Sequence, residues 1–293
     1  MPLESDASRV RSWSILGYRP RFSLRSMLIL VVLMCCPLAW IGERMRSTQE
    51  QRAVLSKLER FGPGIVMAQG NVKLLSLGNT EVSDAELRDI SRLVYLERLD
   101  LESTRITDAG LAELAKLKRL RFLSLTYTNL TNKGLASLRG LSSLEDLRIA
   151  GTQITDDGMR HLTDLRNLRW LDIGATMVGD EGMAQIGRLT SLRRLYMRQT
   201  EVTDAGLAHL APLTGLQFLA LNHTKISDAG LAKLAPFQQL ETLWLHHTLI
   251  TNDGLSHLVA LDSLRQLEVA ETAVTDAGIA RLEHQMPYLR ILR

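Results

Sequence analysis

The sequence predicts an α/β solenoid: a curved parallel β-ribbon on the concave side, short helices on the convex side, and an N-terminal transmembrane helix ahead of both. Three observations predict it. From Val72 onward the chain repeats itself every 24 residues. Within each repeat an alternating apolar segment precedes one with helical apolar spacing. Upstream, Ser26 to Gly42 carries no charge at all.

Residues 1–25 form a short basic tail. Residues 1–42 hold five arginines (Arg9, Arg11, Arg19, Arg21, Arg25) against Glu4 and Asp6. That alone accounts for the formal net charge of +3, because removing five and two from 35 basic and 32 acidic residues leaves 30 of each sign. A nucleic-acid binder needs surplus positive charge to displace counterions from phosphate, and the repeat region has none. Nucleic acid is therefore excluded as a partner.

Residues 26–42, SMLILVVLMCCPLAWIG, are read as a transmembrane anchor. As a helix they span about 25 Å, the short end of a bilayer core. Trp40 sits where an interfacial ring belongs, and Arg25 and Arg44 bracket the run. No cleavage site of small residues follows, and the run has no polar face, so neither a removed signal peptide nor a buried soluble helix fits as well. Both cysteines, Cys35 and Cys36, lie here. They read as inert buried thiols, with lipidation of one as the alternative. The repeats are thus left without disulfides or cysteine-based zinc sites. A basic leader ahead of the first apolar run usually stays cytoplasmic, so the chain is expected to be a single-pass membrane protein with its repeats outside the cytoplasm. Charges on the two sides nearly balance.

Residues 43–71 are expected to form a helical stalk and N-terminal cap. Glu43 to Arg60 has charged amphipathic character, Gly62-Pro63 stops it, and Ile65 to Met67 can begin a capping strand.

Residues 72–293 are about nine repeats. Thr80, Thr104, Thr128, Thr152, Thr176, Thr200, Thr224, Thr248 and Thr272 share one register. Each follows an apolar frame such as Leu96-x-x-Leu99-x-Leu101 and precedes a block such as ITDAGLAEL (Ile106 to Leu114). This pattern, LxxLxLxxTx(I/V)(T/S)DxGLxxLxxL, resembles the leucine-rich-repeat superfamily, with threonine at its usual asparagine position. The TDxGLxxL block is similar to the helical half of repeats in F-box adaptor proteins, whose cysteines and F-box are missing here. The anchor-plus-repeats layout resembles bacterial, planctomycete-like surface leucine-rich-repeat proteins. The resemblance implies a solenoid that acts by binding.

One such unit cannot bury its apolar face alone, so neighbours must stack. Strand leucines are expected inward, with helix leucines such as Leu111, Leu114 and Leu117 facing them. Thr107 or Asp108 is expected to cap its helix, and Asp suits the positive end of the dipole. The threonine ladder is expected to satisfy turn backbone groups. The Asp column (Asp108 to Asp276) and the Gly column (Gly110 to Gly278) read as helix starts and tight packing, not acid–base pairs. Asn132 and Asn252 replace Asp, Gly179 replaces Thr, and Glu86 replaces the first Gly. After the last repeat the chain ends inside a final strand, where Arg290 and Arg293 would discourage edge pairing.

Function is expected where the scaffold leaves choice. Two strand columns, Arg98, Phe122, Asp146, Trp170, Arg194, Phe218 and Thr242, and Asp100, Ser124, Arg148, Asp172, Tyr196, Ala220 and Trp244, should face the concave side. Aromatics favour sheets in any case. Clustered with arginines, however, Phe122, Arg148, Trp170, Arg194, Tyr196, Arg198, Phe218 and Trp244 form the expected ligand-binding set, solvent-facing and able to engage a protein, peptide or cell-envelope component. His223, His247 and Glu271 share another column, with His246 beside it. Such a set could hold a metal, but ligands strung along about 10 Å converge poorly, so surface histidines are the preferred reading. His161, His209 and His257 share a helix column expected on the convex side. No nucleophile–base pair or phosphate-binding glycine loop is present. The chain is expected to be a binding module, not an enzyme, and to need no cofactor. Self-association into a structural envelope protein and an F-box-type adaptor role are the alternatives.

Overall fold

The computed structural model of the chain describes residues 48–293. The basic tail, the anchor expected at 26–42 and the start of the stalk lie outside the described residues. Among those described, no helix is long and apolar enough to cross a membrane.

A helix over residues 48–58 runs into a 3-10 turn, Glu59–Phe61, and stops at Gly62, whose φ of 60° is left-handed. In the segment expected to hold stalk and cap, this helix packs on the solenoid: Val54 and Leu58 are buried in the same core as the first repeat. Strand β1, Gly64–Ala68, pairs antiparallel with β2, Asn71–Ser76, and closes that end as a hairpin. Thereafter each repeat contributes one three-residue strand: β3 (Arg98–Asp100), β4 (Phe122–Ser124), β5 (Asp146–Arg148), β6 (Trp170–Asp172), β7 (Arg194–Tyr196), β8 (Phe218–Ala220), β9 (Thr242–Trp244) and β10 (Gln266–Glu268); β11 (Arg290–Leu292) ends the row. Among the described residues the sheet has 11 strands, in sequence order.

The register is the 24-residue spacing made visible. Leu75, Leu99, Leu123 and their successors to Ile291 pair across parallel strands as the central residue of each. A strand alternates faces, so the residues flanking each central leucine point outward and the leucine points into the core. In the second repeat Leu96, Leu99, Leu101, Ile106, Leu111, Leu114 and Leu117 are all buried completely. Each such side chain contributes about 1.5–3 kcal/mol when withdrawn from water, but only with a neighbour stacked against it. Phe237 fills the column otherwise occupied by leucine and is buried as fully.

The helices are shorter than the sequence pattern suggests: Asp108–Leu111 is one α-turn, continued by the 3-10 stretch Ala112–Lys116. Their capping is divided between two residues. The Thr107 hydroxyl accepts from the Ala109 N–H, capping its own helix, whereas Asp108 reaches the next repeat. Its Oδ1 accepts the Thr131 N–H at 2.8 Å and its Oδ2 the Thr131 hydroxyl at 2.5 Å. The same staple recurs from Asp84–Thr107 to Asn252–Thr275. It also explains the exceptions. Glu86 can replace the first glycine because no repeat precedes it; Arg60 of the cap reaches it at 2.6 Å instead. Gly179 keeps the backbone half of the bond, to Asp156 at 2.7 Å. Asp276, the last of the column, pairs with Arg293.

The threonine ladder behaves as expected. Each hydroxyl donates to the carbonyl three residues earlier, as in Thr104 to Leu101 at 2.7 Å and Thr272 to Val269 at 2.7 Å. The residue before each threonine takes a left-handed φ, whether it is Asn79, Ala175, His223 or Gly151.

Candidate functional site

The outward face of β3–β9 carries a continuous stack of rings and guanidinium groups. Parallel strands in register set it up, since residues one repeat apart lie about 4.8 Å apart, close to ring-stacking distance. Arg98 lies over the Phe122 ring at 4.1 Å, and Arg148 lies over Phe122 at 4.9 Å and Trp170 at 4.4 Å. Arg194 also lies over the Trp170 ring, at 4.9 Å. Trp170 then stacks on Tyr196 at 5.3 Å and Tyr196 on Phe218 at 4.5 Å. Trp244 closes the row edge-on to Phe218 at 4.7 Å.

The structure brings together all eight expected residues on one face and gives them different surroundings. Phe122 corrects the expectation of a solvent-facing ring: at 8% exposure it is roofed by Arg98 and Arg148. Arg148 is committed as well, donating from Nε and Nη2 to both carboxylate oxygens of Asp146 at 3.2 and 3.1 Å. Trp170, Tyr196, Phe218 and Trp244 are half-buried, and Arg194 and Arg198 are exposed. The Arg198 stem lies across Gly174, where a Cβ would come within 2.8 Å of its Cγ.

Two carboxylates lie beneath the stack. Burial pushes Asp146 and Asp172 up from the ordinary aspartate range, although Arg148 pulls Asp146 down and the Gly174 N–H and Arg198 pull Asp172 down. Burial likewise raises the Tyr196 phenol. The indole Nε1 atoms of Trp170 and Trp244 and the hydroxyl of Ser124 are buried without a hydrogen-bond partner. An unsatisfied buried donor costs about 1–3 kcal/mol, so this face is held in place at some expense to stability.

The histidine column lies beside the C-terminal end of the stack, with its rings one strand spacing apart. The His223 ring is 4.6 Å from His247 and 4.9 Å from His246. Glu271 Oε2 is 3.2 Å from His247 Nδ1. Partial burial, then His247 and His246, lowers the His223 pKa. Among the described residues no group of three or more His, Cys, Asp or Glu side chains is placed to hold a metal, so the metal alternative is not carried further. Sequence reasoning missed Arg98 and Asp146 as members of the site. Both stand in the columns read from the sequence, and only the stacking geometry distinguishes them from their neighbours.

The Leucine Rich repeat family model matches residues 93–115, 140–163 and 214–235. No match was found among curated proteins. Among solved structures, a leucine-rich-repeat protein of Leptospira interrogans superposes with a TM-score of 0.55 at 19% identity, over 75% of this chain and 60% of that one. Internalin C2 of Listeria monocytogenes is 27% identical over 73% of this chain and 78% of its own, with a TM-score of 0.47. Internalin F of the same organism is 17% identical over 84% and 93%, with a TM-score of 0.40. The strand register and the superposition on the Leptospira protein give the repeat region a leucine-rich-repeat solenoid fold, within which the family model matches three segments.

Proposed function

We propose that the chain is a membrane-anchored binding module that engages a protein or peptide ligand through the outward face of its sheet. The stack from Arg98 to Trp244 carries this reading. Large rings present contact area at little entropic cost, and arginine adds directional donors, the combination that dominates protein interfaces. Leucine-rich-repeat domains are typically non-catalytic binding modules, in keeping with the same reading. The uncharged run at 26–42 supplies the tether, and the basic leader ahead of it favours an extracytoplasmic repeat domain, facing envelope components.

The test is affinity capture from membrane and envelope extracts with the detergent-solubilised full chain, comparing wild type with Trp170→Ala/Trp244→Ala. A protein held by the wild type and released by the folded double variant supports the reading; equal capture moves the site off this face. Labelling intact cells with a membrane-impermeant reagent tests the topology, since an unmodified repeat domain would reverse it. A second reading, self-association, is favoured by β11, which ends the sheet among the described residues. Concentration-independent sedimentation would remove it.

A further inference from the structure

We infer that the partner segment is acidic: an extended stretch of peptide whose carboxylates pair with Arg194 and Arg198 while a neighbouring bulky apolar side chain lies on Tyr196, Phe218 and Trp244. This rests on the peptide-binding reading above and adds the chemistry of the ligand.

The argument is charge complementarity within one patch. Arg148 has its anion, Asp146, in a two-pronged bond, and further contact with a ligand would cost that bond. Arg194 and Arg198 differ: both are exposed, and neither makes an ion pair or a side-chain hydrogen bond among the described residues. Both are nevertheless held in place. Arg194 is pinned against the Trp170 face, and Arg198 is draped over Gly174. Two guanidinium groups positioned in advance and lacking acceptors suit carboxylates, which accept from the guanidinium fork through two oxygens. Two acids lie nearby, but Asp146 is held by Arg148 in the two-pronged bond and Asp172 is half-buried with its N–H partner, Gly174, at 2.9 Å, so neither saturates them.

The aromatic shelf adjoins these arginines directly. Tyr196 lies between Arg194 and Arg198 in sequence on β7, and Phe218 and Trp244 follow on β8 and β9. From β7 to β9 is two strand spacings, about 10 Å, the reach of roughly three extended residues. A peptide crossing the strands can therefore meet both arginines and the shelf at once. At the far end Glu271, drawn toward His247, would repel a carboxylate placed beyond Trp244. The acidic end of the ligand is thus expected over β7 and its apolar side chain over β8–β9.

The test uses the detergent-solubilised full chain and a displayed library of random twelve-residue peptides, selected on wild type, on Arg194→Gln/Arg198→Gln and on Trp170→Ala/Trp244→Ala. The inference expects wild type to enrich peptides with Asp or Glu near an aromatic or leucine. The arginine variant should lose the acidic preference and keep the apolar one, and should bind the best acidic peptide about tenfold more weakly. Added salt should weaken the wild-type complex far more than that of the arginine variant. Enrichment that depends on the tryptophans but shows no acidic preference overturns the acidic inference and leaves peptide binding standing. Enrichment unaffected by the tryptophan substitutions, or none on any of the three proteins, overturns both.

Discussion

Asp108 holds Thr131 of the following repeat by two bonds at once, from its backbone N–H at 2.8 Å and from its hydroxyl at 2.5 Å. A staple that satisfies a partly buried helix-start N–H with a charged acceptor should matter in proportion to the bonds it makes. Asp108→Ala removes both and leaves the Thr131 N–H unpaired, an expected loss of about 2–4 kcal/mol. Asp108→Asn should cost no more than about 1 kcal/mol, because Asn132 already makes the same pair of contacts with Thr155, at 2.9 Å through Oδ1 and 2.7 Å through Nδ2. Urea unfolding followed by circular dichroism separates the two. Equal losses would mean that the staple contributes through its charge rather than its geometry.

The glycine two residues into each repeat helix after the first has the same origin. Gly182 donates its N–H to Asp156 at 2.9 Å, and a Cβ there would stand 2.6 Å from that carboxylate oxygen and 2.6 Å from the Val178 Cγ1. Gly182→Ala is expected to destabilise by about 1–3 kcal/mol through overpacking. If paired with Asp156→Ala, the two changes should cost less than their sum, because the second removes one of the atoms in the way. Additive losses would put the clash on Val178 alone.

The left-handed column offers a change in the opposite direction. Ala175 sits at φ 53° and Gly151 at φ 66° in equivalent places. A Cβ in this region costs about 1–2 kcal/mol, against about 0.4–1 kcal/mol for the extra unfolded-state freedom of glycine. Ala175→Gly should therefore be neutral to mildly stabilising. Gly151→Ala should destabilise by about 1–2 kcal/mol or more, since its new methyl would also meet the Tyr127 ring. Thermal midpoints moving the other way round would mean that the turn relaxes out of the left-handed region.

The contrast between these columns shows what a single sequence discloses. Leucine, threonine and aspartate are constrained by one repeat's fit to the next, so the same residue recurs and the strand register could be read directly. The left-handed position constrains only the backbone and tolerates Asn79, Tyr127, Gln199 or Glu271 alike, so no pattern marks it. On the binding face the columns were readable but the burial within them was not. Phe122 and Trp170 are both aromatic residues in the first column, yet two arginines roof Phe122 while Trp170 stays half-exposed beside Tyr196. In the capping segment Val54 and Leu58 carry no repeat signature, and only the first repeat's open face calls for their burial.

Asp172 links the stability of the site to pH. Its Oδ1 accepts the Gly174 N–H at 2.9 Å, and burial beneath the stack outweighs that bond and the pull of Arg198, leaving the carboxyl pKa raised. A carboxyl with a folded-state pKa above its unfolded value binds more protons when folded. Its contribution therefore falls as pH rises through the window between the two values, and the charged form carries the full penalty above the folded pKa. Asp172→Asn retains an oxygen for Gly174 and has no charge to bury. The variant should be more stable than wild type at neutral pH, and the advantage should shrink as pH falls through the raised pKa and vanish near the ordinary aspartate range. Denaturant melts of both proteins at a series of pH values measure the difference directly. A gap that widens on acidification would show that Arg198 holds Asp172 charged, and would place a standing ion pair where the structure puts a buried carboxyl.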